Sequence, residues 1–319
     1  MFDRPAKLYI VIPCYNEEEA LPETARQLNA YMDELVGENM ISSDSRMLLV
    51  DDGSKDRTWQ VISELIGKSE RFEGLKLAHN AGHQNALWAG MHTAMDKCDA
   101  IVSIDADLQD DIRAIHGFLT EYYAGSDIVY GVRSKRETDT FFKRVTAEGF
   151  YKGMAHLGVE TVYNHADYRL ISRRALKELM NFGEVNLFLR GMVPTLGFKT
   201  AKVYYERKER TAGESKYPLK KMLAFAMQGI TSFSVKPIRM IAFLGALFAI
   251  FAVIIGIYAL ISLIAGKAVP GWTSTMLSIW LIGGVQLIAL GLIGEYIGKI
   301  YMEVKRRPRF IVEEYKTKK

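Results

Sequence analysis

Cysteine is scarce: in 319 residues the chain has two, Cys14 and Cys98. They stand apart, with no C-x-x-C spacing. That excludes a disulfide framework and a cysteine-built zinc site, and it fits a reducing compartment. An excess of one charge sign is also lacking. Lys and Arg number 41 against 37 Asp and Glu, a net charge of +4, and no basic run has the form of a nucleic-acid-binding arm. No nucleic acid is expected as a partner. The N-terminal MFDRPAKLYIVIPCYNE has a short apolar stretch followed at once by polar residues. It lacks the apolar core and small-residue cleavage site of a secretory signal, so the soluble part is expected in the cytoplasm. Internal repeats and low-complexity stretches are absent as well.

Long uncharged runs are present. From Met240 to Ala265, and again from Ala268 to Gly294, no residue is charged. Each run exceeds the ~20 residues that carry a helix across ~30 Å of hydrocarbon. The alternative is a pair of buried core helices, for which such uncharged lengths are unusual. The connection GKAVPGWTST carries one Lys, and its Pro270 and Trp272 suit an interfacial turn. Lys220, Lys221, Lys236 and Arg239 precede the runs; Lys299, Lys305, Arg306, Arg307 and Arg309 follow them. The positive-inside rule then puts both ends in the cytoplasm and the turn outside. Just upstream, Leu219, Met222, Leu223, Ala226, Met227 and Ile230 recur at roughly helical spacing beside Lys220 and Lys221. This is the pattern of an amphipathic helix lying in the membrane interface, or of an ordinary helix packed on the soluble domain.

The first hundred residues alternate. Apolar runs at Leu8–Ile12, Met47–Val50, Leu75–Ala78 and Ala100–Ile104 read as buried strands. Helical patterns occupy Ala20–Val36, Thr58–Ile66 and Gln84–Asp96 between them. Such alternation predicts a parallel, doubly wound α/β sheet. Ligands bind such sheets beyond the carboxyl ends of the strands. The polar clusters fall there: Tyr15-Asn16-Glu17, Asp51-Asp52-Gly53-Ser54 and Asp105-Ala106-Asp107.

Asp105, Asp107 and Asp110 lie within six residues of one another, directly after an apolar run. Hard oxygen donors suit Mg²⁺ or Mn²⁺, which keep waters and bridge to substrate phosphates. A metal there could stabilise a departing diphosphate. Taken alone, D-x-D is equally a helix cap or a solvated turn. Asp51 and Asp52 can accept hydrogen bonds from a base or ribose, while Asp56 or Ser54 can cap the helix at Thr58.

V-I-P-C-Y-N-E at 11–17, D-D-G-S-x-D at 51–56, N-x-G at 80–82 and D-A-D-L-Q-D at 105–110 occur in that order. The set resembles the family 2 glycosyltransferases of the GT-A fold. H-A-D-Y-R-L at 165–170 and R-T-A-G-E-S-K-Y at 210–217 precede the apolar runs. That arrangement resembles the polyprenyl-phosphate branch, which includes dolichyl-phosphate mannose synthases and bacterial relatives acting on undecaprenyl phosphate. The resemblance implies that Pro13, Tyr15, Glu17 and Asp52 hold the nucleoside. It implies that Asp105 and Asp107, with Gln109, carry the metal and diphosphate. Many relatives continue D-L-Q-x-P-P-E, whereas this chain reads D-L-Q-D-D-I-R, so the loop shape is expected to differ. His83 occupies a position often basic in relatives, a diphosphate contact or simply a helix-start residue. Asp167 falls where relatives place an acidic residue near the sugar, to orient substrate or act as base; a salt-bridged loop residue is the alternative. Arg169 is expected to orient Asp167, pair with it or contact phosphate. Arg133, Arg210, Ser215 and Lys216 are candidate phosphate ligands, since Arg offers a bidentate fork and Lys a point charge. Lys143 and Arg144 are candidates for meeting the lipid phosphate, or a solvated helix face.

The expected organisation is a cytoplasmic GT-A (Rossmann-like) α/β catalytic domain over 1–216, an interfacial amphipathic helix over 217–237, a two-helix transmembrane hairpin over 238–300 and a cytoplasmic tail over 301–319. R-R-P-R-F-I-V-E-E-Y is expected to return as a short strand. The implied reaction is inverting transfer of a hexose, glucose or N-acetylglucosamine first, from a UDP-sugar to undecaprenyl or another polyprenyl phosphate. Mg²⁺ or Mn²⁺ would be the cofactor, at the cytoplasmic face of the inner membrane. The implied partners are membrane lipid, a second copy of the chain, and a flippase and glycosyltransferase downstream. A processive polysaccharide synthase would carry Q-x-x-R-W and more spans, neither of which is evident. A non-catalytic nucleotide-sugar-binding membrane component would have no need of every acidic motif.

Overall fold

The computed structural model describes residues 4–134, 165–185, 187–206, 235–265 and 271–318. The chain forms two compact units. The first holds an eight-stranded sheet and its helices; the second holds two long helices.

In the first unit, β1 (Leu8–Cys14), β2 (Arg46–Asp51), β3 (Phe72–Leu77) and β4 (Ala100–Ser103) alternate with α1 (Leu21–Gly37), α2 (Thr58–Lys68) and α3 (His83–Ala94). These match the segments expected from hydropathy to within a few residues. After β4 come α4 (Ala114–Tyr123), β5 (Ile128–Arg133), β6 (His165–Ser172), α5 (Arg173–Met180), α6 (Leu189–Thr195) and β7 (Thr200–Tyr205). The strand order is β7-β5-β6-β4-β1-β2-β3-β8, where β8 (Val312–Thr317) follows the long helices.

The sheet is mixed, which corrects the all-parallel expectation. β4, β1, β2 and β3 run parallel, but β6 is antiparallel to both β4 and β5, and β8 is antiparallel to β3. The sequence reading on which that expectation rests stops at β4, although α4 and β5 carry the alternation one step further. Both antiparallel strands come from later, less regular sequence.

Every residue of β1 is buried, as a central strand covered on both faces requires. Ile10 and Ile12 join a core with Leu28, Met32 and Leu35 of α1 and Phe118 of α4. The opposite face receives α3. A Cβ at Gly90 would lie 2.4 Å from Val11 Cγ1 and 2.8 Å from Val50 Cγ2, so only glycine lets α3 seat this close. Burial of each core Val, Leu or Ile side chain contributes roughly 1.5–3 kcal/mol.

β1 pairs with β4 only through Val11, while its pairing with β2 continues to Cys14. Pro13 therefore sits where β1 has lost one neighbour, and its missing N–H costs no ladder bond on that side. Between β1 and β4 the strand order reverses, and a crevice opens at their carboxyl ends. This is the switch point at which doubly wound sheets bind ligands.

In the second unit, α7 (Lys236–Ile264) and α8 (Trp272–Lys305) run 29 and 34 residues. That is roughly 43 and 51 Å at 1.5 Å per residue. Mean hydropathy is 2.6 over Lys236–Ile255 and 1.6 over Leu281–Lys305, and no part of either stretch is buried. Buried core helices, the alternative drawn from the sequence, do not describe them. Both are long and apolar enough to cross a membrane. The interfacial helix expected over 217–237 lies almost entirely outside the described residues.

Candidate active site

Three loops build the crevice. The first two are latched by side chains accepting from backbone. Asn16 N–H donates to Ser54 Oγ (3.0 Å), Lys55 N–H to Asn16 Oδ1 (2.9 Å) and Glu17 N–H to Thr58 Oγ1 (2.9 Å). Asp56 accepts from the backbone of both Thr58 and Glu18, so it serves the start of α2 and the loop after β1 at once. Gly53 has φ +64°, and a Cβ there would lie 2.6 Å from Asn80 N and His79 C. The D-D-G-S turn thus needs glycine for its own conformation and for the loop stacked on it. The third loop, after β4, is held by α1: Thr24 Oγ1 donates to the Ala106 carbonyl (2.6 Å). Leu108, at φ +51°, turns the chain out of it, and Gln109 N–H donates to Asp107 Oδ1 (3.2 Å). A positive φ at a leucine is the kind of strain found at binding sites.

A cavity of about 300 Å³ lies between these loops. Pro13, Tyr15, Glu17, Asp52, His83, Asp105 and Asp107, all singled out in the sequence, line it together with Cys14, Asn80, Gly82, Ala86 and Ala106. The N-x-G signal at 80–82 pointed to the extra loop. Asp52 is nearly fully buried and accepts from the backbone N–H of Ala81 (2.7 Å) and Gly82 (3.0 Å). Burial pushes its carboxyl up, against the pull of those two N–H groups. Its first task here is to fix the loop that carries His83.

His83 Nε2 lies 3.5 Å from Asp105 Oδ1 and 4.0 Å from Asp167 Oδ2. Asp167, on β6, has a side chain only 9% exposed and is heavily engaged. Its Oδ1 accepts from Arg169 Nη2 and from Arg190 Nε (3.4 Å); its Oδ2 accepts from Arg190 Nη2 (3.2 Å). Burial opposes its charge, but Arg190, Arg169 and His83 hold the carboxyl well below the usual carboxylate range. Arg169 is 1% exposed, with Nη1 on the Leu189 carbonyl. It offers no surface to a phosphate, so of the roles read for it from sequence the geometry supports the pairing with Asp167. Arg190 escaped the sequence reading, because a single Arg in the apolar stretch N-L-F-L-R-G carries no motif.

The two carboxylates on the cavity wall suit a divalent cation. Desolvation pushes the Asp105 carboxyl up; His83 opposes this, and Asp167, Asp110 and Asp107 add to it. A cation relieves such an accumulation of negative charge. Among the described residues no three ionisable ligand side chains converge. The pair fits Mg²⁺ or Mn²⁺ held by few protein groups and completed by water and substrate phosphate. Asp110 does not join them: it is buried and accepts from Tyr205 Oη (2.6 Å) and Arg133 Nη2 (3.2 Å). Gln109 is buried, with its backbone serving Asp107. Arg133 is occupied by the Asp110–Tyr205 bridge and does not line the cavity. Lys143, Arg144, Arg210, Ser215 and Lys216 lie outside the described residues.

Residues 9–180, more than half of the chain, match the family described as Glycosyl transferase family 2. The chain belongs to that family. Residues 236–300 of this family 2 member match a second description, GtrB C-terminal hairpin. It is 54% identical over 306 residues to an uncharacterized glycosyltransferase, YkoT, of Bacillus subtilis (strain 168), covering 96% of this chain and 91% of that one. It is 38% identical to a prophage bactoprenol glucosyl transferase homolog of Escherichia coli (strain K12), covering 97% and 99%. It is 37% identical to the bactoprenol glucosyl transferase of Shigella phage SfV, covering 98% and 100%. The mixed sheet with its crevice between β1 and β4 is the GT-A arrangement that the sequence motifs imply.

Proposed function

We propose that this family 2 glycosyltransferase moves glucose from UDP-glucose onto undecaprenyl or another polyprenyl phosphate, at the cytoplasmic face of the membrane, with inversion. The observation that carries the reading is one crevice lined by the Y-N-E loop, the D-D-G-S turn and both D-x-D carboxylates, in a chain that also has two helices of membrane-crossing length. The names of the bactoprenol relatives favour glucose over N-acetylglucosamine.

The chemistry asks little of a base. A phosphate monoester is largely ionised near pH 7, because its second pKa is about 6. Its oxygen forms the new bond to the anomeric carbon as the bond from that carbon to the nucleoside diphosphate breaks. Catalysis then rests on placing the two anions and stabilising the one that leaves. Asp105 and Asp107 would hold the divalent ion, which would supply Lewis-acid stabilisation of the departing diphosphate. Pro13, Tyr15 and Glu17 hold the nucleoside, and Asp52 anchors the loop bearing His83. Asp167, already ion-paired, positions its neighbours and takes no proton. Delivery of the lipid-linked sugar to a flippase and a second glycosyltransferase, and self-association, complete the proposal.

A direct assay tests it. Purified full-length protein with undecaprenyl phosphate, Mn²⁺ or Mg²⁺ and a panel of nucleotide-sugars should give a glucosyl-phospholipid by mass spectrometry. EDTA should abolish it, and Asp107→Asn should lose transfer while still binding UDP. No glycolipid from any nucleotide-sugar sinks the proposal.

A further inference from the structure

The chain that follows the long helices has no part in the reaction described above, yet it is built into the catalytic unit from Arg307 onward. Only Arg306, Arg307 and Pro308 separate the end of α8 from Arg309. Arg309 Cζ lies 4.4 Å from the centre of the Trp88 ring, in α3, and its Nη2 donates to the Phe182 carbonyl (2.6 Å). Two residues further on, the Ile311 carbonyl accepts from Ala78 N–H (2.9 Å).

These contacts bracket the connection between β3 and α3. It runs from Ala78 to Gly82; its Asn80 and Gly82 line the crevice, as do His83 and Ala86 at the start of α3. Ile311 holds the beginning of the connection, and Asp52 holds its end through the N–H groups of Ala81 and Gly82. Arg309 then holds α3 itself, five residues past His83. Trp88 is buried, and a guanidinium over a ring is held more firmly where water is excluded. The Phe182 carbonyl lies on the stretch that leads to α6, where Leu189 N–H donates to Gln84 Oε1 (3.1 Å), next to His83. The same two parts of the chain are therefore tied twice, once by Arg309 and once at the first turn of α3.

We propose that Arg309 is a positioning residue for donor binding: it acts through α3 and fixes the Asn80–His83 wall of the crevice. A wall held in place before the donor arrives spares the ordering cost of binding, and a small displacement of a positioning group is costly. The assignment rests on the function proposed above. Tyr315, further along the same tail, bonds Glu73 within β3 instead, so the two residues separate a role in the crevice from a role in holding the sheet edge.

The test uses full-length protein in detergent, as wild type, Arg309→Gln, Arg309→Lys and Tyr315→Phe. Calorimetry measures UDP binding in Mn²⁺, and initial rates give KM for UDP-glucose and for a short polyprenyl phosphate. Arg309→Gln should weaken UDP binding and raise KM for UDP-glucose about 3- to 10-fold, the loss expected for one cation–π or charge-assisted contact. KM for the lipid should stay within twofold of wild type. Arg309→Lys keeps a cation for the ring and should recover part of the loss, because the planar fork is gone. Tyr315→Phe should leave UDP affinity and both KM values within twofold, even where it melts earlier. Should Arg309→Gln not fold, the lysine variant carries the same comparison. UDP affinity and KM for UDP-glucose within twofold of wild type in the folded Arg309 variants overturn the proposal, whatever the change in melting temperature. So does a shift confined to the lipid KM, or one of equal size in Tyr315→Phe. A wild type that binds UDP but transfers no sugar ends the functional reading instead, and the calorimetry still judges Arg309.

Discussion

Asp167 is surrounded by Arg169, Arg190 and His83, and its low folded pKa has a stability consequence. A carboxyl whose folded pKa is depressed adds stability that is fully present above its unfolded value of about 3.9 and is lost as pH falls through the lower folded value. Replacing it with Asn strands two guanidiniums, one of them in the core, at a cost of about 3–5 kcal/mol. Asp167→Asn should therefore melt well below wild type, with a gap that is constant from pH 5 to 8 and closes only under about pH 4. Thermal melts across pH read this directly. A gap that changes between pH 5 and 8 means that the ion-paired carboxylate alone does not set it. The Asp167–Arg169 pair was among the sequence expectations, whereas the Arg190 contact was not. The spacing of D-A-D-L-Q-D placed Asp105 and Asp107 on a shared cavity, but nothing local told Asp110 to turn toward Tyr205, 95 residues away.

At the scale of elements, hydropathy located β1 to β4 and α1 to α3, because buried parallel strands read as short apolar runs between amphipathic helices. It could not give the direction of β6 or the partner of β8. β8 is highly charged and exposed along most of its length, and it is recruited by the free edge of β3 rather than by its own apolar content. What fastens it is a polar cluster. Tyr315 Oη donates to Glu73, Tyr9 Oη donates to the other Glu73 oxygen (2.9 Å), and Lys97 Nζ stands 4.0 Å over the Tyr315 ring. Arg309, counted from sequence among the basic residues flanking the second apolar run, stacks 4.4 Å from the Trp88 ring and donates to the Phe182 carbonyl (2.6 Å). Glu73 is 8% exposed, so losing a donor leaves a buried carboxylate short of partners. Tyr315→Phe should lower stability by about 1–3 kcal/mol, seen as an earlier unfolding midpoint of the full-length protein in detergent. An unshifted midpoint would show that backbone pairing alone holds the strand.

At the scale of the whole chain, the path matters more than any contact. The chain leaves the catalytic unit before α7 and rejoins its sheet as β8, next to β3. A folded domain cannot lie on two sides of a bilayer, so helices inserted between two parts of one sheet must cross an even number of times. With α7 and α8 as the crossings, the catalytic sheet and β8 would share one side of the bilayer and the turn between the helices would face the other; the positive-inside rule, applied to the flanking basic residues, would name the shared side as the cytoplasm. The two arguments answer different questions: backbone pairing puts both ends of the hairpin on one side, and charge names that side. Cys14 and Cys98 are both buried, which leaves a quiet background for thiol labelling. In intact cells, Gly271→Cys should react with a membrane-impermeant maleimide, whereas Lys318→Cys should react only after permeabilisation. Labelling of Lys318→Cys in intact cells would require β8 to leave the catalytic sheet or the helices to cross an odd number of times, and either result breaks the link between the hairpin and the cytoplasmic site.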